Sequence, residues 1–389
     1  MGKQYLFLTL NTFSATGGIE KVCRAAGKAL YEIAKEEDDK FTVYSMYDNK
    51  EEIDERYFPG SVFKAFGGRK LSFAISALLK QRKPDIVLLS HINLLPVGFA
   101  IKKLSPKTKL VLIAHGIEVW AKLSGLKSRM LQSVDLFLPV SQYTGKMLQS
   151  VQGINAGKIQ VLNNCLDPFL KNEENIEFQR KLLAKYKLSK ENQILLTVTR
   201  LKHSEQYKGY DKVVTSLSTL KEKLPNLKYL IVGKYDLEEK ARLNVIIEKE
   251  GLQDAVIFAG FVKDEELQAH FQLADAYIMP STGEGFGIVF IEALYYGLPV
   301  IAGNKDGSVD ALGGGEFGLL VDPTNEKEIM HAVHRVLENK CASIPEHQKI
   351  LKRFGFETYK TNLKELFFYL VGVKKSKKRP AQKIPGISS

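Results

Sequence analysis

Residues 276–303 read AYIMPSTGEGFGIVFIEALYYGLPVIAG, and the order of signals within them decides the fold. A short apolar run stops at Pro280. A loop holding Gly283, Gly285 and Gly287 follows, then a helix-length apolar segment from Ile288 to Gly297, then a second apolar run opened by Pro299. Strand, glycine loop, helix and strand in that order make one βαβ unit, whose two strands lie parallel with the helix across a sheet face. Apolar runs without polar alternation fit strands covered on both faces.

Working outward, the same alternation fills the chain. Behind this unit lie QILLTVTR (193–200), LKYLIVGK (227–234) and AVIFAG (255–260), and beyond it FGLLVD (317–322). The first half offers YLFLTL (5–10), FTVYSM (41–46), DIVLLS (85–90), KLVLIAHG (109–116), DLFLPVS (135–141) and KIQVLNN (158–164). Helices are expected to begin near Gly18, Leu71, Leu94, Ala121 and Gln142. The expected fold class is therefore α/β, with two Rossmann-like doubly wound domains facing each other across a cleft. The expected division is 1–166, 167–353, a closing helix over 354–373 that crosses back to the first domain, and a basic tail at 374–389. The tail, KSKKRPAQKIPGISS after Lys374, lacks the composition for a core and is expected to be disordered. Residues 165–190 carry Pro168 and clustered charge without a strand pattern, which marks them as the hinge.

A length of 389 residues suits two cores. Hydrophobic residues at 44% and charged residues at 26% exclude collagen-like, disordered and membrane-spanning chains. The opening MGKQYLFLTLNT has too short an apolar run for a signal-peptide core, so a cytoplasmic location is expected. Cys23, Cys165 and Cys341 are far apart, which suggests neither a disulfide framework nor a zinc site. Residues 1–165 hold 23 Lys and Arg against 14 acidic residues, residues 166–373 hold 27 against 30, and residues 374–389 hold 6 against none. The net charge of +12 thus sits in the first half and the tail, where it attracts polyanions in general.

Ligands of open α/β sheets bind beyond the carboxyl ends of the strands, so the loops after strands carry the candidate chemistry. In the quoted segment, Gly283, Gly285 and Gly287 let backbone N–H groups and a helix start approach a phosphate or a sugar oxygen. Glu284 opens that loop, and Glu292 lies eight residues on in an otherwise apolar helix, where an unpaired carboxylate is costly. A ribose diol or sugar hydroxyls would supply donors. The plainer alternative has Glu284 complementing the helix dipole and Glu292 paired with an arginine elsewhere. Arg200 after its strand, with Lys208 and Gly209 before the next helix, makes a clamp for a diphosphate leaving group, or a surface basic pair. Gly17 and Gly18 separate the first strand from the first helix, where a phosphate could sit; a plain turn reads equally well. His115 ends a strand before Gly116, placed to hydrogen-bond a sugar hydroxyl or leaving phosphate, or simply to cap. P-loop, HExxH, nucleophile-elbow and Asp-x-Asp patterns are absent, so no metal and no cofactor are expected, and electrostatic help must come from side chains and backbone.

These residues resemble the retaining GT-B glycosyltransferases of family four over nearly the whole chain. The most specific feature is Glu284-x7-Glu292 in EGFGIVFIE, supported by Arg200, Lys208-Gly209, Asn164 in VLNNCLD and His115-Gly116. The resemblance implies a metal-independent hexosyltransferase in which Glu284 contacts the donor sugar, Glu292 the ribose, and Arg200 and Lys208 the diphosphate. Phe286 and Gly287 amides would assist, Gly18 would close over the phosphates, and His115 would lie near the sugar. It implies retention by front-face displacement, with the leaving phosphate helping to deprotonate the acceptor. A UDP-sugar is favoured over a GDP-sugar as the commoner donor, and the acceptor is a glycan or lipid-linked sugar in surface polysaccharide, lipopolysaccharide or glycolipid synthesis. Where the family often has a glutamate in GG-x-x-E, this chain has Asp306-Gly307-Ser308-Val309-Asp310, which bears on base preference.

The competing classes are a nucleic-acid-binding protein, suggested by the basic charge but by no motif, and a catalytically silent nucleotide-sugar-binding protein. No nucleic-acid partner is expected. In GRKLSFAISALLKQRK (68–83), Leu71, Phe73, Leu78 and Leu79 mix with Arg69, Lys70, Lys80, Arg82 and Lys83. That mixture suits either peripheral docking on an anionic membrane at its inner face or an ordinary helix packed on the sheet.

Overall fold

The computed structural model describes residues 2–80, 83–173, 175–339, 345–370 and 372. The expected basic tail at 374–389, Arg82 and Cys341 lie outside the described residues. Two parallel six-stranded sheets follow one another along the chain. The first runs β3-β2-β1-β4-β5-β6, from β1 (Gln4–Thr9), β2 (Lys40–Ser45), β3 (Phe63–Ala65), β4 (Ile86–Leu89), β5 (Lys109–Ala114) and β6 (Leu136–Pro139). The second runs β12-β11-β10-β7-β8-β9, from β7 (Gln193–Val198), β8 (Leu227–Val232), β9 (Val256–Gly260), β10 (Ala276–Met279), β11 (Val300–Gly303) and β12 (Leu319–Val321). Each reverses direction of growth at its first strand, so each is a doubly wound Rossmann-like unit with its crevice at that point.

In the first unit, α1 (Gly18–Glu36) covers one sheet face. On the other lie α2 (Lys70–Ile75), extended by a π-helical turn at Ser76–Lys80, then α3 (Leu95–Leu104), α4 (Ile117–Trp120) and α5 (Gly125–Gln132). The unit closes with α6 (Gln142–Ser150). The second has α7 (Ile176–Lys185), α8 (Tyr210–Lys223), α9 (Leu237–Lys249), α10 (Asp264–Leu273), α11 (Ile288–Tyr295), α12 (Ser308–Ala311) and α13 (Glu326–Asn339). After these come α14 (His347–Phe354) and α15 (Phe356–Leu370).

Three expectations are corrected. The run KIQVLNN is not a strand: Ile159 forms a single bridge to Phe137, and Gln160 and Leu162 donate to the Phe137 and Pro139 carbonyls at 3.0 Å, without a continuous ladder. The sixth strand is instead Phe63–Ala65, three residues long and half-buried, too short to announce itself by periodicity. No helix starts at Ala121, which is the extended residue ending α4; the long helix waits for Gly125. Phe73, offered as a headgroup-facing residue, is fully buried in the core with Ala77. Cys23 is enclosed, and burial pushes its thiol up to about 12, which leaves it inert at neutral pH.

The chain's last helix returns to the first unit. α15 packs along α1, with Phe367 edge-on to Tyr5 at 5.7 Å. Lys360 pairs with Glu32 at 2.9 Å, and Lys364 with Glu36 at 2.8 Å and Glu37 at 2.6 Å. At Glu32 burial acts to raise the pKa, but the Lys360 and Lys28 ammoniums outweigh it and hold the carboxyl below its usual range; Lys364 does the same for Glu36. A carboxyl depressed in the fold stabilises it above the unfolded pKa, and that contribution disappears as pH falls through the folded value. Lys360→Met should therefore lower the melting temperature more at about pH 7 than at about pH 3, as read by circular dichroism.

Candidate active site between the two units

The glycine loop after β10 is shaped from behind by Asp306. One carboxylate oxygen accepts the Glu284 N–H at 2.6 Å and the other the Ser308 N–H at 2.9 Å, while the Gly307 N–H donates to the Glu284 carbonyl at 2.8 Å. Burial of Asp306 pushes its pKa up to about 6, despite these donors. At the loop's front, Gly285 lies against the first unit: a Cβ there would be driven into the His115 carbonyl oxygen, and one on Gly116 would come within 2.9 Å of Gly285 Cα. Gly287, at φ +82°, starts α11 from the left-handed region with no side chain as cap. The two units thus meet backbone to backbone at the expected His115-Gly116 and Gly285 positions.

Both candidate carboxylates are buried, and both are paired with lysines. Glu284 accepts from Lys208, inside the same unit. Glu292 accepts from Lys21, in the first turns of α1, so this ion pair bridges the two halves. Its partner is a lysine across the cleft, where the plainer reading of the sequence had an arginine. For both ammoniums burial acts to lower the pKa, yet the carboxylate outweighs it and the net direction is upward; both lysines stay charged.

Arg200 projects into solvent, its guanidinium 3.0 Å from Glu205, whose second carboxylate oxygen is buried without a hydrogen bond among the described residues. Arg200, Lys208, Glu205 and Glu284 all lie close enough to Tyr207 to act on its hydroxyl, whose pKa is raised first by burial. Tyr207 is the hub that sequence reading missed. Its carbonyl accepts the Thr282 N–H at 2.9 Å, and its ring fills the place a side chain on Gly283 would occupy. Gly209, N-cap of α8, is left-handed at φ +75° against the Pro280 carbonyl. Gly17 is the N-cap of α1, and a Cβ on Gly18 would meet no atom within 4 Å. The starts of α1, α8 and α11 all have glycine caps, with no side chain capping their first N–H groups.

His115 is fixed by its ring. Nε2 lies 2.6 Å from the Ser90 carbonyl, which can only accept, so Nε2 carries a proton; the His115 N–H donates to Glu118 at 2.5 Å. Asp310, in the segment that departs from the family pattern, accepts from the Gln142 N–H at the start of α6 at 2.9 Å and from Asn163 at 3.3 Å. It links the two units. Asn164 is buried, and its side-chain oxygen is without a hydrogen bond among the described residues. Beside Glu292 and Lys21, a cavity of about 500 Å³ opens between the halves, lined also by Arg24, Tyr57, Phe169 and Asp264. Among the described residues, no group of three or more His, Cys, Asp or Glu could hold a metal ion.

Two family models cover most of the chain. Residues 16–168 match Glycosyltransferase Family 4 and residues 178–358 match Glycosyl transferases group 1. The chain is 30% identical over 253 residues to a GDP-mannose-dependent alpha-(1-6)-phosphatidylinositol monomannoside mannosyltransferase of Mycobacterium tuberculosis, covering 62% of this chain and 64% of the relative. It is 27% identical over 208 residues to a 2-deoxystreptamine glucosyltransferase of Streptomyces kanamyceticus, covering 53% and 52%. The crystal structure of Anabaena HepE in complex with UDP superposes with a TM-score of 0.76 at 20% identity, over 94% of this chain and 100% of that one. Two Rossmann-like units meeting over a glycine loop define the GT-B architecture. The chain belongs to the family 4, group 1 glycosyltransferases.

Two outcomes follow from the pairs and the loop. Lys21→Met leaves the buried Glu292 carboxylate unmatched and should cost about 2 kcal/mol in urea unfolding. Most of that loss should return in Lys21→Met/Glu292→Gln, because the charge is then gone. Protonation of Asp306 puts a hydroxyl where a backbone N–H needs an acceptor, so nucleotide affinity measured by calorimetry should fall as pH drops through about 6. In Asp306→Asn that step should be absent. For stability the sign is opposite: a raised carboxyl pKa makes the ionised form a cost at neutral pH that is relieved on acidification.

Proposed function

We propose that the protein transfers a hexose from a nucleoside-diphosphate sugar to a glycan or lipid-linked acceptor, retaining anomeric configuration and using no metal. The observation that carries this reading is the buried Lys208–Glu284 pair at the glycine loop, with Arg200 within electrostatic reach of neighbouring Tyr207, beside glycine-capped helix starts. Fixed positive charge and free backbone N–H groups suit a diphosphate that gains negative charge as the glycosidic bond breaks. Arg200, Lys208 and the amides of Phe286 and Gly287 hold the diphosphate, with Gly18 closing from the first unit. Glu284 accepts from sugar hydroxyls, Glu292 from the ribose, and His115 lies near the sugar.

Donor binding exchanges partners. Lys208 leaves Glu284 for a phosphate oxygen while Glu284 turns to a hydroxyl, and Glu292 gives up Lys21 for the ribose diol. In the transfer step the anomeric carbon–phosphate oxygen bond breaks as the bond to the acceptor oxygen forms on the same face. The acceptor's proton passes to the departing phosphate. Residues 1–166 serve the acceptor and residues 167–353 the donor, with 354–373 as the closing helix. A UDP-sugar is the preferred donor, in keeping with the UDP-bound relative, and a GDP-sugar the second, in keeping with the mannosyltransferase. The setting is surface polysaccharide, lipopolysaccharide or glycolipid synthesis on the cytoplasmic side of a membrane.

Thermal unfolding with UDP, GDP, ADP and their sugars tests the reading. A bound nucleotide at about a hundred times its dissociation constant should add about 2.7 kcal/mol of stability. Arg200→Ala and Lys208→Ala should abolish that gain, and transfer of labelled sugar should follow the same donor. If none of the nucleotides stabilises the wild type, the proposal fails; stabilisation without transfer to any acceptor supports a silent nucleotide-sugar binder instead.

A further inference from the structure

The layer of α2, α3 and α5 has two different sides. Inward, Phe73 and Ala77 are buried in a core cluster made only of residues from the first unit, so this layer lies on the sheet face away from the second unit. Outward, Leu71, Ile75 and Leu79 are 81%, 54% and 72% exposed. They are spaced four residues apart. Each such step in an α-helix overshoots a full turn by about 40°. The π-helical turn at Ser76–Lys80 is wider, so four residues there fall slightly short of a turn and cancel the overshoot. The three apolar side chains therefore stay on one line instead of spiralling away. On neighbouring helices, Leu104 of α3 and Leu126 of α5 are exposed as well.

Charge on this layer is one-sided. Residues 69–129 contain twelve Lys and Arg against two acidic residues, Asp85 and Glu118, and the Glu118 carboxylate is engaged by the His115 N–H. Arg69, Lys70, Lys83, Lys103, Lys107 and Lys122 are exposed, and among the described residues none has a carboxylate in ion-pair range. An apolar line set in a field of unpaired ammoniums matches an interface that is apolar within and anionic at its rim. A second copy of the chain would bring the same positive charge face to face, which opposes self-association.

We propose that this layer docks on an anionic phospholipid bilayer, with Leu71, Ile75 and Leu79 entering the headgroup boundary and the basic residues lying over the phosphates. The proposal deepens the reading of a lipid-linked acceptor, and its test does not depend on transfer.

The full-length protein is floated with vesicles of phosphatidylcholine alone and of phosphatidylcholine with phosphatidylglycerol, at about 0.1 M salt. The wild type should float with the anionic vesicles only. Leu71→Ser/Ile75→Ser/Leu79→Ser, which keeps every basic residue and the tail, should lose at least about tenfold in partitioning. Its melting temperature, and the gain on adding nucleotide, should match the wild type, because the three side chains are exposed. Equal flotation of wild type and triple variant overturns the proposal, as does a wild type that stays in the supernatant with both vesicles. Dimerisation seen by light scattering, lost in the triple variant without any flotation, assigns the face to a second copy and overturns it too. A triple variant that loses flotation but keeps nucleotide binding separates this proposal from the transferase reading.

Discussion

Glu292 sits in a helix whose other residues are aliphatic or aromatic, and a carboxylate in that position has to be matched by a donor. The match comes from Lys21, 271 positions earlier in the chain and across the cleft. Around this pair the rest of the site is arranged. It brings the first turns of α1 against α11 and leaves the cavity lined by Arg24 and Tyr57 alongside. The backbone contact of His115 with Gly285 sets the same approach a second time, without charge. One contact is an ion pair that a polar ligand can replace; the other tolerates no side chain at all. The approach of the two halves is therefore set by charge at one point and by sterics at the other.

The folding pattern was legible where strands were long and unbroken. All six strands of the second sheet coincide with apolar runs, and five of the first do, because parallel strands buried on both faces cannot hide their composition. The failures have a common cause. Phe63–Ala65 is a short edge strand with Lys64 at its centre, and KIQVLNN is strand-like in composition but lies beside β6 without a ladder. Both lie at an edge of the first sheet, and what separates them is the ladder that β3 makes with β2 and KIQVLNN lacks with β6, which neither composition nor period encodes. At the candidate site, Glu284, Glu292, Arg200 and Lys208 could be named because each follows a strand or a glycine loop. Tyr207 and Lys21 could not, since an aromatic residue before a lysine and a lysine on an amphipathic helix are ordinary in isolation. Asp306 was visible only as a departure from a pattern; its role as the acceptor for the Glu284 N–H needs the fold.

The two faces of the first sheet carry different duties, and the charge distribution follows them. The face covered by α1 shares a core with the second unit and with α15, and its lysines there are paired with glutamates. The opposite face has its own core and a basic surface with almost no acidic residues in its sequence. Lys360 and Lys364 are paired where α15 packs on α1, whereas Arg69, Lys70, Lys103, Lys107 and Lys122 on the opposite face have no carboxylate in ion-pair range among the described residues. A mean composition hides this contrast, because both faces draw on the same excess of lysine.

The internal ion pairs also bear on selectivity. In the form described, Lys208 and Glu284 neutralise each other, as do Lys21 and Glu292, so an incoming ligand gains nothing by supplying one charge alone. A phosphate that takes Lys208 leaves Glu284 buried and unmatched unless the same ligand also offers hydroxyl donors. A sugar without a diphosphate has the converse defect at Lys208. Only a molecule that carries anionic oxygens and hydroxyl groups at the right separation satisfies all the partners it displaces. Buried groups left unpaired cost more than a formed hydrogen bond returns, so this arrangement discriminates by penalty as well as by attraction. On the proposed reading it favours a whole nucleotide sugar over its fragments.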